Sequence, residues 1–127
     1  MGKVTVSPAG VESTHYPSGQ LQSAGRKVGG QRDGPWRFWH RDGVLWSTGT
    51  YNKGVADGLF KWYAANGVLR QQGRFVKGVQ TGLWKRYHGG TGKLFDQGRW
   101  EDGKRVGVWK TYTKDGKLKA SKTYKPK

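Results

Sequence analysis

The chain has no cysteine and no isoleucine, a single methionine, four prolines, and only eight acidic residues against 24 lysines and arginines. Without cysteine there is no disulfide framework, no thiol nucleophile and no Cys-ligated zinc, a pattern that suits a reducing compartment. No run approaches the roughly 18 apolar residues of a membrane span, and residues 1–30 lack the roughly 7–15-residue apolar core of a signal peptide. Met1-Gly2 does not open a myristoylation signal, because Val6 stands where Ser or Thr is required. The expectation is a soluble, cytoplasmic protein. Leu, Val and Phe together supply 22 of 127 residues, which with a net charge of +16 is a composition typical of disorder. What is abundant argues the other way. Glycine fills 22 positions, and seven Trp, six Tyr and four Phe can each bury about 150–250 Å² if the chain brings them together.

The glycines and rings recur. Gly34-Pro35-Trp36, Gly58-Leu59-Phe60, Gly82-Leu83-Trp84 and Gly107-Val108-Trp109 begin 24, 24 and 25 residues apart. Three residues after each first ring comes a second, in Trp39, Tyr63, Tyr87 and Tyr112. A turn then ends in Gly43, Gly67, Gly92 and Gly116, each followed two residues later by Leu45, Leu69, Leu94 or Leu118. Gly49–Tyr51, Gly73–Phe75 and Gly98–Trp100 continue the unit, with Lys122–Tyr124 as a degenerate copy. Each unit holds two runs of about 4–7 residues punctuated by turn dipeptides, too short for a helix pair and right for a β-hairpin. This predicts an all-β chain of tandem β-hairpins forming an elongated, mostly single-layer antiparallel sheet, its hairpins burying one another's rings because one alone is marginal in water. Five units are expected, at 15–33 (degenerate), 34–57, 58–81, 82–106 and 107–124 (a cap). Residues 1–14 are read as a leader that need not be ordered, and 125–127 as a basic tail.

With its glycine-aromatic units the sequence resembles the MORN-repeat superfamily, and more closely the variant repeats of the YwqK-type antitoxin family, whose units take the form G-x-W-x-x-Y-x-x-x-G-x-L. The resemblance covers roughly residues 15–124. It implies a hairpin-repeat fold and a non-catalytic, antitoxin-like, immunity-like or scaffold role. No catalytic motif travels with it.

The residues themselves offer little for catalysis. Five of the eight carboxylates, Asp33, Asp42, Asp57, Asp102 and Asp115, immediately precede glycine, which is turn chemistry. His40 and His88 hold the same repeat position two units apart, about 19 Å at roughly 4.8 Å per strand, too far to share a metal; both are expected as exposed loop residues. Gly89-Gly90-Thr91-Gly92-Lys93 is not a phosphate loop, because Leu94 follows where Ser or Thr is needed. Neither enzymatic activity nor a cofactor or metal is expected.

The cations are more informative. Arg37, Lys61, Lys85 and Lys110 each follow the first ring of a unit. Strand alternation points them away from Trp36, Phe60, Trp84 and Trp109 and toward the side of Trp39, Tyr63, Tyr87 and Tyr112. Arg26, Arg74 and Arg99 form a partial second row on that side, interrupted by Thr50 and Thr123, and the same parity assigns Trp46 and Phe95 to it. A solvated face is one reading of this ladder. The functional reading is a surface for an acidic protein partner, with nucleic acid as the alternative and an anionic phospholipid surface as a lesser one. The lysine-rich stretch from Lys114 to Lys127 would reinforce any of these, and the unpaired terminal strands allow edge-to-edge self-association.

Overall fold

A computed structural model of the chain describes residues 4–6 and 10–125. Twelve strands follow one another: β1 (Val4–Val6), β2 (Val11–His15), β3 (Leu21–Val28), β4 (Gln31–Trp39), β5 (Leu45–Asn52), β6 (Val55–Ala56), β7 (Gly58–Tyr63), β8 (Leu69–Val76), β9 (Val79–Tyr87), β10 (Leu94–Glu101), β11 (Lys104–Tyr112) and β12 (Leu118–Tyr124). All belong to one antiparallel sheet in which each strand lies beside the next in sequence, except that the two-residue β6 pairs with β5 off the main path. Among the described residues there is no helix. The all-β hairpin stack inferred from the repeat is therefore the fold.

Two kinds of turn close the hairpins. On one flank, Gly29-Gly30, Lys53-Gly54, Lys77-Gly78 and Asp102-Gly103 have positive φ at both positions, the mirror-image turn whose twist matches that of the flanking strands. Three of these turns put a non-glycine residue in the left-handed region: Lys53 and Lys77 at φ 50° and Asp102 at φ 51°. Lysine is strained there, whereas asparagine tolerates it. Lys77→Asn is thus expected to stabilise the fold by about 0.5–1 kcal/mol, visible as a higher Tm; an unchanged or lower Tm would contradict this account of the turn.

On the other flank are longer loops that share one bonding scheme. His40 N–H donates to Val44 O and Gly43 N–H to His40 O, and the same two bonds recur in the loops beginning at Tyr16, Ala64, His88 and Thr113. The loops are also tied to one another. The Tyr16 hydroxyl donates to Trp39 O at 2.7 Å, Asn66 Nδ2 to Gly89 O at 3.0 Å and Lys93 Nζ to Asp115 O at 3.4 Å.

The core is a single row of rings lying on glycines. Trp36, Phe60, Trp84 and Trp109 are 2, 6, 3 and 6% exposed. Each ring covers the glycine of the preceding strand, Gly25, Gly49, Gly73 or Gly98, where even a methyl group would collide with it. The three indoles are fixed further by an N–H bond to the carbonyl one residue past that glycine, at Arg26, Arg74 and Arg99. Phe75 bridges two units, with its ring centroid 5.1 Å from both Phe60 and Trp84. A one-layer sheet can bury rings in this way only if alternate strands are bare where the ring lands.

The structure corrects the expected start of the array. Residues 4–6 and 11–14, placed in the leader, belong to strands β1 and β2, and β2 pairs with β3 from Val11 to His15. Gly10, Gly34, Gly58, Gly82 and Gly107 all have positive φ and stand 24, 24, 24 and 25 residues apart. The first unit, expected from residue 15, thus begins at Gly10, with Glu12 and His15 in place of its two rings, and the missing rings hid its first strand. At the far end Lys122 takes the glycine position, opposite Trp109, and its ammonium lies 5.0 Å from the centroid of the Tyr124 ring. Of the expected basic tail, residues 126 and 127 lie outside the described residues.

Candidate partner-binding face

The ring row defines the two faces of the sheet. On its side lie Phe38, stacked 6.0 Å from Trp36, and Trp62, 5.8 Å from Phe60. Arg32 and Arg105 also belong to this side, with their guanidinium groups over Trp36, Phe38 and Tyr51 and over Trp100, Trp109 and Tyr124. Arg86 joins them and binds the buried Asp96 through two hydrogen bonds, Nε to Oδ1 at 2.9 Å and Nη2 to Oδ2 at 2.5 Å. Those bonds raise the Arg86 guanidinium above its ordinary pKa, outweighing its partial burial. These cations are engaged with rings or a carboxylate.

On the opposite face the register brings the sequence ladder into one line. Cross-strand partners run Ser13, Ala24, Arg37, Thr48, Lys61, Gln72, Lys85, Gln97, Lys110 and Ser121 without a break from β2 to β12. Cations occupy every second strand from β4 to β11, which spaces them about 9.6 Å apart at roughly 4.8 Å per strand. Small or amide side chains stand between them. Gln72 donates its amide N–H to the Tyr87 hydroxyl at 2.7 Å, and Gln97 does the same to Tyr112 at 2.9 Å. These bonds show that Tyr87 and Tyr112 share the cations' face. Strand alternation assigns Tyr63 and Trp39 to it as well.

The second row is present beside the first. Arg74 pairs with Leu59 and Arg99 with Leu83, alternating guanidinium groups with exposed aliphatic side chains; Val108 continues the aliphatic positions opposite Thr123. Arg26 stands opposite Val11 and Asp33 at the start of this row. None of the seven cations of the two rows is ion-paired to another described residue. The salt bridges among the described residues are Lys27–Glu12 and Arg86–Asp96.

Trp46 and Phe95 are not on this face. Each is the extra residue of a β-bulge, between Phe38/Trp39 and their partners in β5, and between Leu94 and Asp96 in β10. One inserted residue reverses the alternation across it, so a parity count carried back along the strand from Thr50 or Arg99 assigns the wrong side. Trp46 instead packs 5.8 Å from His40, and Phe95 5.1 Å from His88 and 5.2 Å from the Arg86 guanidinium. The two histidines are accordingly half-buried ring partners rather than the exposed loop residues expected, and His88 Nε2 lies 3.0 Å from Tyr112 O. Sequence reasoning missed Gln72 and Gln97. The available signal was the position just before the repeat glycine, which is polar in Thr48, Gln72, Gln97 and Ser121.

The carboxylates behave as turn chemistry requires at several sites. Asp42 Oδ1 accepts from Val44 N–H, and Asp115 from the Thr113 hydroxyl, a bond that holds the exposed Asp115 carboxyl below its ordinary pKa. Asp57 instead accepts from Lys77 N–H in the neighbouring turn. Among the described residues no three His, Cys, Asp or Glu side chains gather as a metal site, and no helix is long and apolar enough to cross a membrane.

The family model described as the MORN repeat variant matches residues 32–53, 56–77 and 105–125, together just over half of the chain. The intervening stretch carries the lengthened Gly89–Gly92 loop yet folds as the same hairpin register, β9 against β10. No curated protein matches the chain. Solved structures share its fold, two of them among the matches to this chain. One is an S. aureus TarM mutant in complex with fondaparinux, α-GlcNAc-glycerol and UDP, with a TM-score of 0.52, 9% identity, and coverage of 83% of this chain and 21% of that one. The other is TarM, at a TM-score of 0.51, 10% identity, and coverage of 83% of this chain and 20% of that one. The present chain therefore spans about a fifth of the length of these proteins, and the likeness concerns the fold alone.

Proposed function

The chain belongs to the MORN repeat variant family, repeats that generally serve as binding modules, and from that premise we propose that it is a non-enzymatic, cytoplasmic module holding an acidic protein partner against one face of its sheet. The observation that carries the proposal is the line Arg37, Lys61, Lys85 and Lys110, four cations at constant spacing with no carboxylate paired to them, flanked by a second row of arginines. Seven like charges kept together are an unfavourable arrangement for the free protein and a favourable one for an anionic partner. Tyr63, Tyr87, Tyr112 and Trp39 beside them supply the large, stiff rings that concentrate binding energy at protein interfaces. An antitoxin-like or immunity-like role, suggested by the YwqK-type resemblance, is one form such capture takes.

Nucleic acid is the second reading, favoured by the same conjunction of cations and rings, since phosphates and stacked bases would use both. Salt separates the two. The double reversal Lys61→Glu with Lys85→Glu should abolish binding of the partner while folding persists, read as an unchanged circular dichroism spectrum, because both half-exposed side chains lie on the face away from the ring row. Affinity capture with mass spectrometry, performed with the wild type and the reversed variant, would identify the partner. Titrations against single- and double-stranded nucleic acid at about 50 and 200 mM salt test the alternative. Tight nucleic-acid binding that collapses between those salts, and is absent from the variant, would replace the first reading by the second. A variant that retains every partner would reduce the ladder to a solvated face.

A further inference from the structure

We propose that the acidic partner presents an extended, polyproline-type segment with a carboxylate at every third residue, laid across the strands along the line Arg37, Lys61, Lys85 and Lys110. The inference rests on the acidic-protein reading above and specifies the shape of what is bound. Its first support is metric. The cations are separated by two strands, about 9.6 Å. A polyproline helix rises about 3.1 Å per residue with three residues per turn, so every third side chain returns to the same side after about 9.3 Å. Over the three intervals from Arg37 to Lys110 the mismatch stays near 1 Å, well within the reach of a lysine stem. Other backbones fit worse. A β-strand repeats on one side every 6.6–6.8 Å or so, and about 9.6 Å is no multiple of that. An α-helix regains its face after about 5.4 or 10.8 Å, and so falls out of step by more than 3 Å across the same three intervals. A nucleic-acid duplex carries a charge every 1.7 Å or so along its axis, far denser than the line can match.

The side chains around the line supply the rest of such a site. Tyr87 and Tyr112 form one rim, their hydroxyls held by Gln72 and Gln97. Proline-rich segments dock against aromatic rims of this kind, and their preformed backbone loses little entropy on binding. Leu59, Leu83 and Val108, 43, 44 and 53% exposed, form the other rim and offer apolar surface to the prolines. Each glutamine lies midway between two cations: Gln72 between Lys61 and Lys85, Gln97 between Lys85 and Lys110. One amide N–H of each goes to its tyrosine. The other N–H and the carbonyl oxygen remain for a ligand whose backbone makes no hydrogen bonds of its own. From Lys61 to Lys110 the face therefore repeats a cation and an amide in alternation, with the period of the proposed ligand.

The test uses two blocked peptides of equal composition, about fifteen residues each: one of Pro-Pro-Glu triplets, the other with its glutamates gathered in one block. Titrated into the full-length protein at about 50 and 150 mM salt, the triplet peptide is expected to bind about tenfold tighter than its isomer. Lys61→Gln with Lys85→Gln should remove that advantage, with the circular dichroism spectrum unchanged. Equal affinities for the two peptides would overturn the proposal while leaving the acidic-protein reading in place, and so would a folded acidic partner that binds when neither peptide does. If nucleic acid binds and no acidic peptide or protein does, both readings fall.

Discussion

Trp84→Ala is expected to unfold the chain or leave it on the edge of unfolding. The indole is 3% exposed, donates its N–H to Arg74 O and Thr81 O at 3.2 Å each, and meets Phe75 and Trp62 at 5.1 and 5.9 Å between centroids. Removing a buried tryptophan of this kind costs about 3–5 kcal/mol, against the 5–15 kcal/mol or so that holds a typical domain together. Among the described residues no second layer of structure lies behind the sheet to refill the space. Urea or thermal unfolding followed by circular dichroism reads the effect. A variant whose Tm falls by only a degree or two would show that the ring row is not what holds successive hairpins together.

Gly73→Ala should be nearly as damaging, by the opposite route. A Cβ at Gly73 would lie closer to the Trp84 ring than real Cβ atoms ever come to a neighbour. The ring cannot retreat, because its N–H and its aromatic neighbours hold it on that spot. Overpacking costs about 1–3 kcal/mol, and a collision with a ring fixed on three sides belongs at the top of that range. Gly67 is the control. It has φ +86° and nothing within 4 Å of its would-be Cβ, so Gly67→Ala should show backbone strain alone, about 1–2 kcal/mol. The double variant Gly73→Ala with Trp84→Ala makes the mechanism visible: the methyl then occupies vacated space, and the pair should be no less stable than Trp84→Ala alone. Additive losses would mean that Gly73 is required for some reason other than the ring.

These effects follow from features that could be read in the sequence, because ring and cation sit next to each other in the same strand. Between Trp84 and Lys85, or Trp109 and Lys110, nothing can slip, so alternation alone assigns Lys85 and Lys110 to the outer face. Arg74 and Arg99 were legible for the same reason, one residue past a glycine that faces the ring. Trp46 and Phe95 were not, since each is the extra residue of a bulge and parity counted back from Thr50 or Arg99 does not see the insertion. Nothing in Leu45-Trp46-Ser47 distinguishes a bulged residue from a paired one. The opening strand of the first unit was obscured for a chemical reason: Glu12 faces Gly25 without a ring and pairs instead with Lys27, so there is no aromatic spacing to detect. The tyrosine–glutamine bonds depend on pairing between separate strands, which no local pattern encodes.

The lysine at position 122 closes the ring row at β12. A ring can settle only on a bare backbone, and at the last strand the place is filled by a side chain folded over Tyr124. A further ring-bearing hairpin paired to β12 would therefore need a glycine in place of Lys122, whereas a 24-residue unit inserted between existing ones would find a glycine behind it and a ring ahead. Each unit so inserted would lengthen the basic line by one cation and about 9.6 Å, and under the proposed binding mode would lengthen the matching acidic segment by three residues.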